Sequence, residues 1–170
     1  MITLLLFYGV SAFKGNTDQD TKVIVAFTNP PTARYVRIFP RTWVEHQCMR
    51  AGLLIGQATE VVPHERFEYF STLEGDAKGY RYGQGMLDSP LAWCSASADL
   101  NQWIQMDAGQ VKVIDGVVTQ GRHDYYLGAT PSTWWVTSYF VQVSIDGVTW
   151  HAAEDFTTCV ESGQSQFSLC

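Results

Sequence analysis

Apolar residues recur at every second position far more often than at helical spacing, which predicts strands rather than helices. Over 21–27, Val23, Val25 and Phe27 share one face. Over 34–39, Val36 and Ile38 oppose Tyr35 and Arg37. Over 101–108, Ile104 and Met106 are set against Trp103, Gln105 and Asp107. A further apolar strand is expected over 111–118, ended by Gln120-Gly121. The longest candidate is 135–145, with Tyr139, Val141, Val143 and Ile145 on one face. Asp146-Gly147 then predicts a tight hairpin, because a type I′ turn needs positive φ, and Val148-Thr149-Trp150 returns. Other breaks fall at Gly15-Asn16, Asn29-Pro30-Pro31, Gly83-Gln84-Gly85 and 128–132, and 57–92 is the least regular stretch. Short strands with frequent turns indicate an all-β chain folded as a sandwich or barrel.

Length and composition narrow this picture. A chain of 170 residues fits one domain, or two very small ones, and buries enough apolar surface to fold without a metal or disulfide. With 46% hydrophobic and 16% charged residues it is not an intrinsically disordered chain. The net charge of −6 argues against nucleic acid as a partner, since that binding neutralises phosphates with Lys and Arg. Residues 1–60 carry +2 and 61–170 carry −8, so the two stretches differ in character. No span reaches the roughly 18–20 apolar residues of a transmembrane helix. The apolar start, Ile2 to Tyr8, reads as a buried strand; Val10-Ser11-Ala12 has the small-residue spacing of a signal-peptidase site, but no basic residue precedes it.

Catalytic signatures are missing. His46, His64, His123 and His151 are scattered, no His-Glu pair sits at metalloprotease spacing, and there is no nucleophile elbow. Gly83-Gln84-Gly85 lacks the strand-to-helix setting of a phosphate loop. His46 and His151 read as surface or packing residues, Asp107 as a turn-capping carboxylate beside Gly109, and Arg34 and Arg37 as partners of a sheet-end carboxylate.

Two segments resemble the discoidin family, the C-type domain of coagulation factors 5 and 8. Phe13-Lys14-Gly15-Asn16-Thr17-Asp18, Pro31-Thr32-Ala33-Arg34-Tyr35-Val36-Arg37-Ile38 and Cys48-Met49-Arg50 resemble its C-terminal half. Met86-Leu87-Asp88-Ser89-Pro90-Leu91-Ala92-Trp93, Gln102-Trp103-Ile104-Gln105-Met106-Asp107, Thr119-Gln120-Gly121-Arg122, Trp135-Val136-Thr137-Ser138-Tyr139 and Asp146-Gly147-Val148-Thr149-Trp150 resemble its N-terminal half. The resemblance implies a discoidin-like jelly-roll β-sandwich. The halves, 13–56 and 67–151, stand in the reverse of the family's order, with a divergent tail at 152–170. One explanation is a circularly permuted single domain over 1–170; the other is a fragment across two consecutive domains. Permutation is the reading preferred, because ends of compact domains lie close together and the tail shows no second Gly-Asn-x-Asp loop.

The four cysteines include no Cys-x-x-Cys pair, so a zinc ribbon is not expected. The resemblance, to collagen-binding receptors of the family, implies a Cys48–Cys94 disulfide joining the halves; two buried free thiols are the alternative. Cys159 and Cys170 are candidates to pair with each other. A disulfide implies an extracellular or cell-surface setting.

The resemblance also implies a binding end made of three loops: 72–82, 122–134 and 14–20. From them come the candidate ligand residues Arg122, His123, Asp124, Tyr125, Tyr126, Leu127, Trp134, Lys14, Asn16 and Asp18. The second loop sets a cation, an imidazole and a carboxylate beside two tyrosines, a mixture suited to sugar rings and hydroxyls. Arg122 matches an arginine of the collagen-binding receptors and is equally placed as a structural donor. Trp103 and Trp135 match family core positions. Together these imply a non-catalytic extracellular module for adhesion or targeting that recognises a glycan or an extracellular protein. A phospholipid-surface domain and an accessory module of a larger hydrolase are the alternatives. No cofactor is expected and no metal ligands are assigned; a structural calcium ion stays open from the resemblance.

Overall fold

The computed structural model describes residues 12–123 and 133–154. Eleven strands are present among them: β1 (Phe13–Lys14), β2 (Val23–Ala26), β3 (Thr32–Val44), β4 (Cys48–Ile55), β5 (Ala58–Glu60), β6 (Phe67–Tyr69), β7 (Trp93–Cys94), β8 (Ile104–Val113), β9 (Gly116–Gln120), β10 (Trp135–Ser144) and β11 (His151–Ala152). They form two antiparallel sheets. The larger runs β1-β10-β3-β8-β6, with β11 also on β10; the smaller runs β2-β9-β4-β5, with β7 on the end of β4.

Alternation decides what each strand buries. Val36 and Ile38 on β3, Ile104 and Met106 on β8, and Tyr139 and Val141 on β10 point inward from the larger sheet. They meet Phe27, Ala51, Leu53 and Val117 from the smaller one. Each such side chain taken from water contributes about 2 kcal/mol. In the smaller sheet β4 and β9 are buried on both faces, with segment 84–92 against β4, while β2 and β5 keep exposed residues. There Leu87 presses so closely on Gly52 that an added Cβ would meet its Cδ1 at 2.4 Å.

Strands from 13–56 pair almost wholly with strands from 67–154. β1 and β3 lie on β10, β3 also on β8, β2 and β4 on β9, and β4 on β7. Only β4–β5 joins a leading strand to the connection at 57–66.

Several local expectations need correction. Residues 111–118 are not one strand: β8 ends at Val113, Ile114 and Asp115 make the turn, and β9 begins at Gly116. Asp146-Gly147 does not make a two-residue hairpin. Val143 pairs with His151, so the connection is longer. Asp146 Oδ1 gathers the N–H groups of Val148 and Thr149, each at 2.8 Å, and the Ser144 hydroxyl at 3.0 Å. These bonds, with Thr149 N–H foremost, hold its carboxyl down to about 2. Ile145 leaves the strand and is exposed. Trp103 and Trp135 are half-buried rather than core; the fully buried tryptophan is Trp93. Trp103 lies on the outer face of β8, where the Arg37 guanidinium sits 4.2 Å from its ring and 3.9 Å from that of Trp150.

Candidate functional site

Arg50 is the hub of the loop end. It is the one charged residue in the buried strand β4, and desolvating a guanidinium is tolerated only when its donors are used. Its Nε donates to Gly121 O at 2.8 Å, Nη1 to Ser89 O at 2.9 Å, and Nη2 to Gln19 O at 2.8 Å and Asp20 Oδ1 at 2.9 Å. One side chain thus ties three separate segments together. Gly121 lets them close: a Cβ there would meet Asp18 O at 2.5 Å and Trp135 Cβ at 2.8 Å.

Above Arg50 opens a cavity of about 440 Å³ lined by Asp20, Arg50, Asp88, Ser89, Pro90 and His123. Its rim is polar and charged. Lys22 Nζ meets Asp88 Oδ2 at 2.6 Å, and Gln120 donates to Asp88 Oδ1 at 3.2 Å. Lys22 is the main reason that the Asp88 carboxyl titrates below its ordinary value. Asp20 and Asp88 remain more than half exposed, so both carboxylates face solvent although both Asp88 oxygens already accept a bond.

Beside the cavity runs a cation–aromatic stack. The Arg122 guanidinium lies 4.6 Å from the Trp134 ring and 5.1 Å from the Tyr82 ring. Trp134 is fixed by its Nε1, which donates to Glu45 Oε2 at 2.9 Å, and by the His46 ring at 5.4 Å. Tyr82 is fixed by its carbonyl, which accepts from Cys94 N at 3.0 Å. Underneath, Cys48 and Cys94 form a disulfide between the register-paired positions of β4 and β7, with Leu73, Tyr82 and Trp134 packed on it. Loop 72–82 is braced by Arg81, which reaches both oxygens of Asp76 at 3.1 Å and also Glu74. Burial opposes ionisation of Asp76, but Arg81 and the Tyr82 N–H outweigh it and hold the carboxyl low.

The expected residues divide accordingly. Arg122, His123 and Trp134 come together at this end. Lys14 is exposed on β1, opposite Ser138. Asp18 spends Oδ1 on the N–H groups of Thr21 and Asp20, which hold its carboxyl low and shape its own loop. Asn16 is corrected: at 1% exposure it is no contact residue, and its amide donates to Thr21 O and Thr119 O. Asp124, Tyr125, Tyr126 and Leu127 lie outside the described residues, as do Cys159 and Cys170. Arg34 pairs with a sheet-end carboxylate, binding Asp107 at 2.8 and 2.9 Å, while Asp107 also caps Gly109 N. Among the described residues Arg37 pairs with no carboxylate; its Nε donates to Gln105. The residues missed were Arg50, Asp88 and Ser89. A lone cation in the run Cys48-Met49-Arg50-Ala51-Gly52-Leu53-Leu54 was the available signal. Among the described residues no three His, Cys, Asp or Glu come together as metal ligands.

Two packed antiparallel sheets with a loop-built cleft at one end define a β-sandwich domain of the discoidin class. The F5/8 type C domain profile matches residues 71–168, more than half of the chain, and the chain belongs to that family. It is 28% identical to EGF-like repeat and discoidin I-like domain-containing protein 3 of Mus musculus over 159 aligned positions, which cover 84% of this chain and 32% of that protein. It is 28% identical to lactadherin of Rattus norvegicus over 163 positions, covering 86% of this chain and 37% of that protein. With neuropilin-1 of Homo sapiens it shares 26% over 124 positions, covering 64% and 13%. The chain therefore spans about a third of the length of the first two relatives. No solved structure matches it. Family membership and the Cys48–Cys94 bond place the domain in an oxidising, extracellular setting.

Proposed function

We propose that this domain is a non-catalytic extracellular module that recognises a glycan or the surface of an extracellular protein through its loop end, in adhesion or targeting. The observation that carries the reading is the cavity above Arg50 with the Tyr82–Arg122–Trp134 stack at its side. The solvent-facing carboxylates of Asp20 and Asp88 keep lone pairs that can accept from hydroxyls, and half-buried aromatic rings offer flat apolar area of low entropy cost. The donors of Arg50 are committed to the fold, so it makes the floor rigid. Rigid floors suit recognition, because less freedom is lost on binding. Asp88 is held ionised by Lys22, which suits hydrogen-bond acceptance and not acid catalysis.

We also read the chain as one permuted sandwich, in which 13–56 and 67–151 complete each other. Support comes from strand pairing that crosses the halves throughout and from a disulfide that joins them. A second reading rests on the comparisons: the alignments run across both halves within longer proteins, an order that two consecutive domains also produce.

The binding proposal is tested with a glycan array, an extracellular-matrix protein panel and liposomes, on wild type and on an Asp88→Asn, His123→Ala variant. Expected is binding of weak, micromolar to millimolar, affinity to a glycan or matrix protein, reduced about tenfold or more in the variant, which still unfolds cooperatively with a melting temperature lowered only slightly by loss of the exposed Lys22–Asp88 pair. Binding only to anionic liposomes, abolished by salt, gives the lipid reading instead. Hydrolysis of a bound glycan, lost in the variant, sinks the non-catalytic assignment.

A further inference from the structure

Among the described residues five non-glycine positions have positive φ: Glu45 (54°), Gln57 (63°), Glu74 (58°), Arg81 (34°) and Asp88 (60°). This backbone is strained for a residue with a Cβ and relaxed for glycine. Gln57 follows Gly56 in the tight turn between β4 and β5, where the hairpin requires it. The other four are charged and stand at the loop end. Asp88 is on the cavity rim, Glu74 and Arg81 brace the loop that carries Tyr82, and Glu45 lies in the turn between β3 and β4. That turn is tight. His46 N–H donates to Val44 O at 2.6 Å across Glu45, and Cys48 N–H donates to His46 O at 3.0 Å. A bond that closes over one central residue of positive φ is the rare and strained form of the γ-turn.

The neighbours of Glu45 hold it there. Gln47 is fully buried; its Nε2 donates to Asp99 O at 2.7 Å and its Oε1 accepts from the Ser95 hydroxyl at 3.0 Å. His46 Nε2 donates to Ser95 O at 2.8 Å, and Cys48 is in the disulfide. So held, Glu45 aims its carboxylate at the edge of Trp134 and accepts from Nε1 at 2.9 Å. The face of the same ring lies 4.6 Å from the Arg122 guanidinium. We propose that Glu45 is the positioning residue of the loop end: it fixes Trp134, and through that ring the direction in which Arg122 faces. Two effects combine. An ionised acceptor on the indole N–H is a strong, directional bond that sets the ring plane. Its negative charge also makes the face of the ring more negative, which tightens its hold on the cation. A stack fixed in advance loses less freedom when a ligand arrives. A glycine would relax the turn but could not supply this carboxylate. The role in recognition rests on the reading of this end as a ligand site, whereas the hold on Trp134 is measured without a ligand.

Nuclear magnetic resonance on Glu45→Gln, Glu45→Ala and Glu45→Gly tests it, with Trp134→Phe to assign the indole signal. The same proteins are run on the glycan array and the matrix-protein panel. Exchange of the Trp134 Nε1–H with water should rise about tenfold or more in the alanine and glycine variants. The ring-current shift of the Arg122 side chain should shrink with it. Glu45→Gln, whose amide oxygen still accepts, should keep most of both. Glu45→Gly should melt above Glu45→Ala, because both lose the bond and only glycine relieves the turn. Retention of the array glycans or panel proteins that wild type binds should fall about fivefold or more in the alanine and glycine variants and be rescued in the glutamine variant. Unchanged indole exchange in Glu45→Gly overturns the proposal. So does an alanine variant as stable as the glycine one, since the turn is then not strained. Binding lost in Glu45→Gln while Trp134 stays protected makes Glu45 a ligand contact and overturns the positioning role. A wild type that binds nothing on array or panel sinks the ligand-site reading alone, and the exchange and melting comparisons still decide the hold on Trp134.

Discussion

Arg50 carries a charge into a strand that is otherwise apolar, and its surroundings supply four acceptors for it. The guanidinium is planar and offers five N–H donors in a fixed fork. Three backbone carbonyls and one carboxylate oxygen occupy that fork, from 19–20, 89 and 121. A lysine has the same charge but a single nitrogen, which cannot reach four acceptors spread around the fork. Arg50→Lys should therefore leave at least two carbonyls unsatisfied and lower stability by about 3 kcal/mol, measured by urea unfolding. It should also loosen the cavity rim, seen as faster amide exchange at Asp20, Ser89 and Gly121. Equal stability in the lysine variant would show that water replaces the lost bonds and that Arg50 does not organise the site.

At the scale of elements, the strands were legible wherever one face was buried and the other wet. The pattern over 34–39 and 101–108 located β3 and β8 and gave the correct inward residues, because period two is a direct image of the pleat. It failed where both faces are covered. β9 is buried throughout, so its residues carry no alternation, and the turn at Ile114-Asp115 was hidden inside an apolar run. The Asp146 loop was missed because the dipeptide signal ignores what a carboxylate does with neighbouring N–H groups. The β4–β7 pairing has a consequence that separates the two architectures. If one permuted sandwich is correct, Cys48 and Cys94 of the same chain are joined in the protein isolated from its natural source. Non-reducing digestion and mass spectrometry should then recover a peptide linking the Cys48 and Cys94 regions. If each cysteine is found joined to a partner outside 1–170, the chain is a piece of two domains. The strand pairing described here would then be the closure of two halves on each other.

Among the described residues nearly every sheet contact of the leading half is with the trailing half, so on the permuted reading proposed above the two halves unfold as one unit. The site follows from this closure. Its loops were legible through resemblance alone, while the pairing of Asp20 and Asp88 around Arg50 is a long-range product of folding that no local pattern encodes. One cooperative unit also gives a defined response to acid. His64 titrates below its ordinary value because burial disfavours its charged form, and Glu65 offsets this only in part. Among the described residues its Nδ1 has no hydrogen-bond partner, and its Nε2 lies 3.5 Å from Ser89 Oγ. The unfolded chain therefore takes the proton first. Stability that is present above about pH 6.5 should decline gently as pH falls through that value, and level off below the folded value. The carboxylates act at lower pH. Asp18, Asp76, Asp88, Asp107 and Asp146 all titrate below their ordinary values in the fold, through partners that only the fold supplies. Their contribution is complete above about pH 4 and is lost as pH drops through the folded values, with Asp146 protonating last, at about 2. Urea midpoints between pH 2.5 and 8 should show a shallow step starting near 6.5 and a steep one below 4. His64→Gln should remove the first and leave the second. A first step that survives this substitution belongs to another histidine, and a profile flat from pH 8 down to 3 would contradict both assignments.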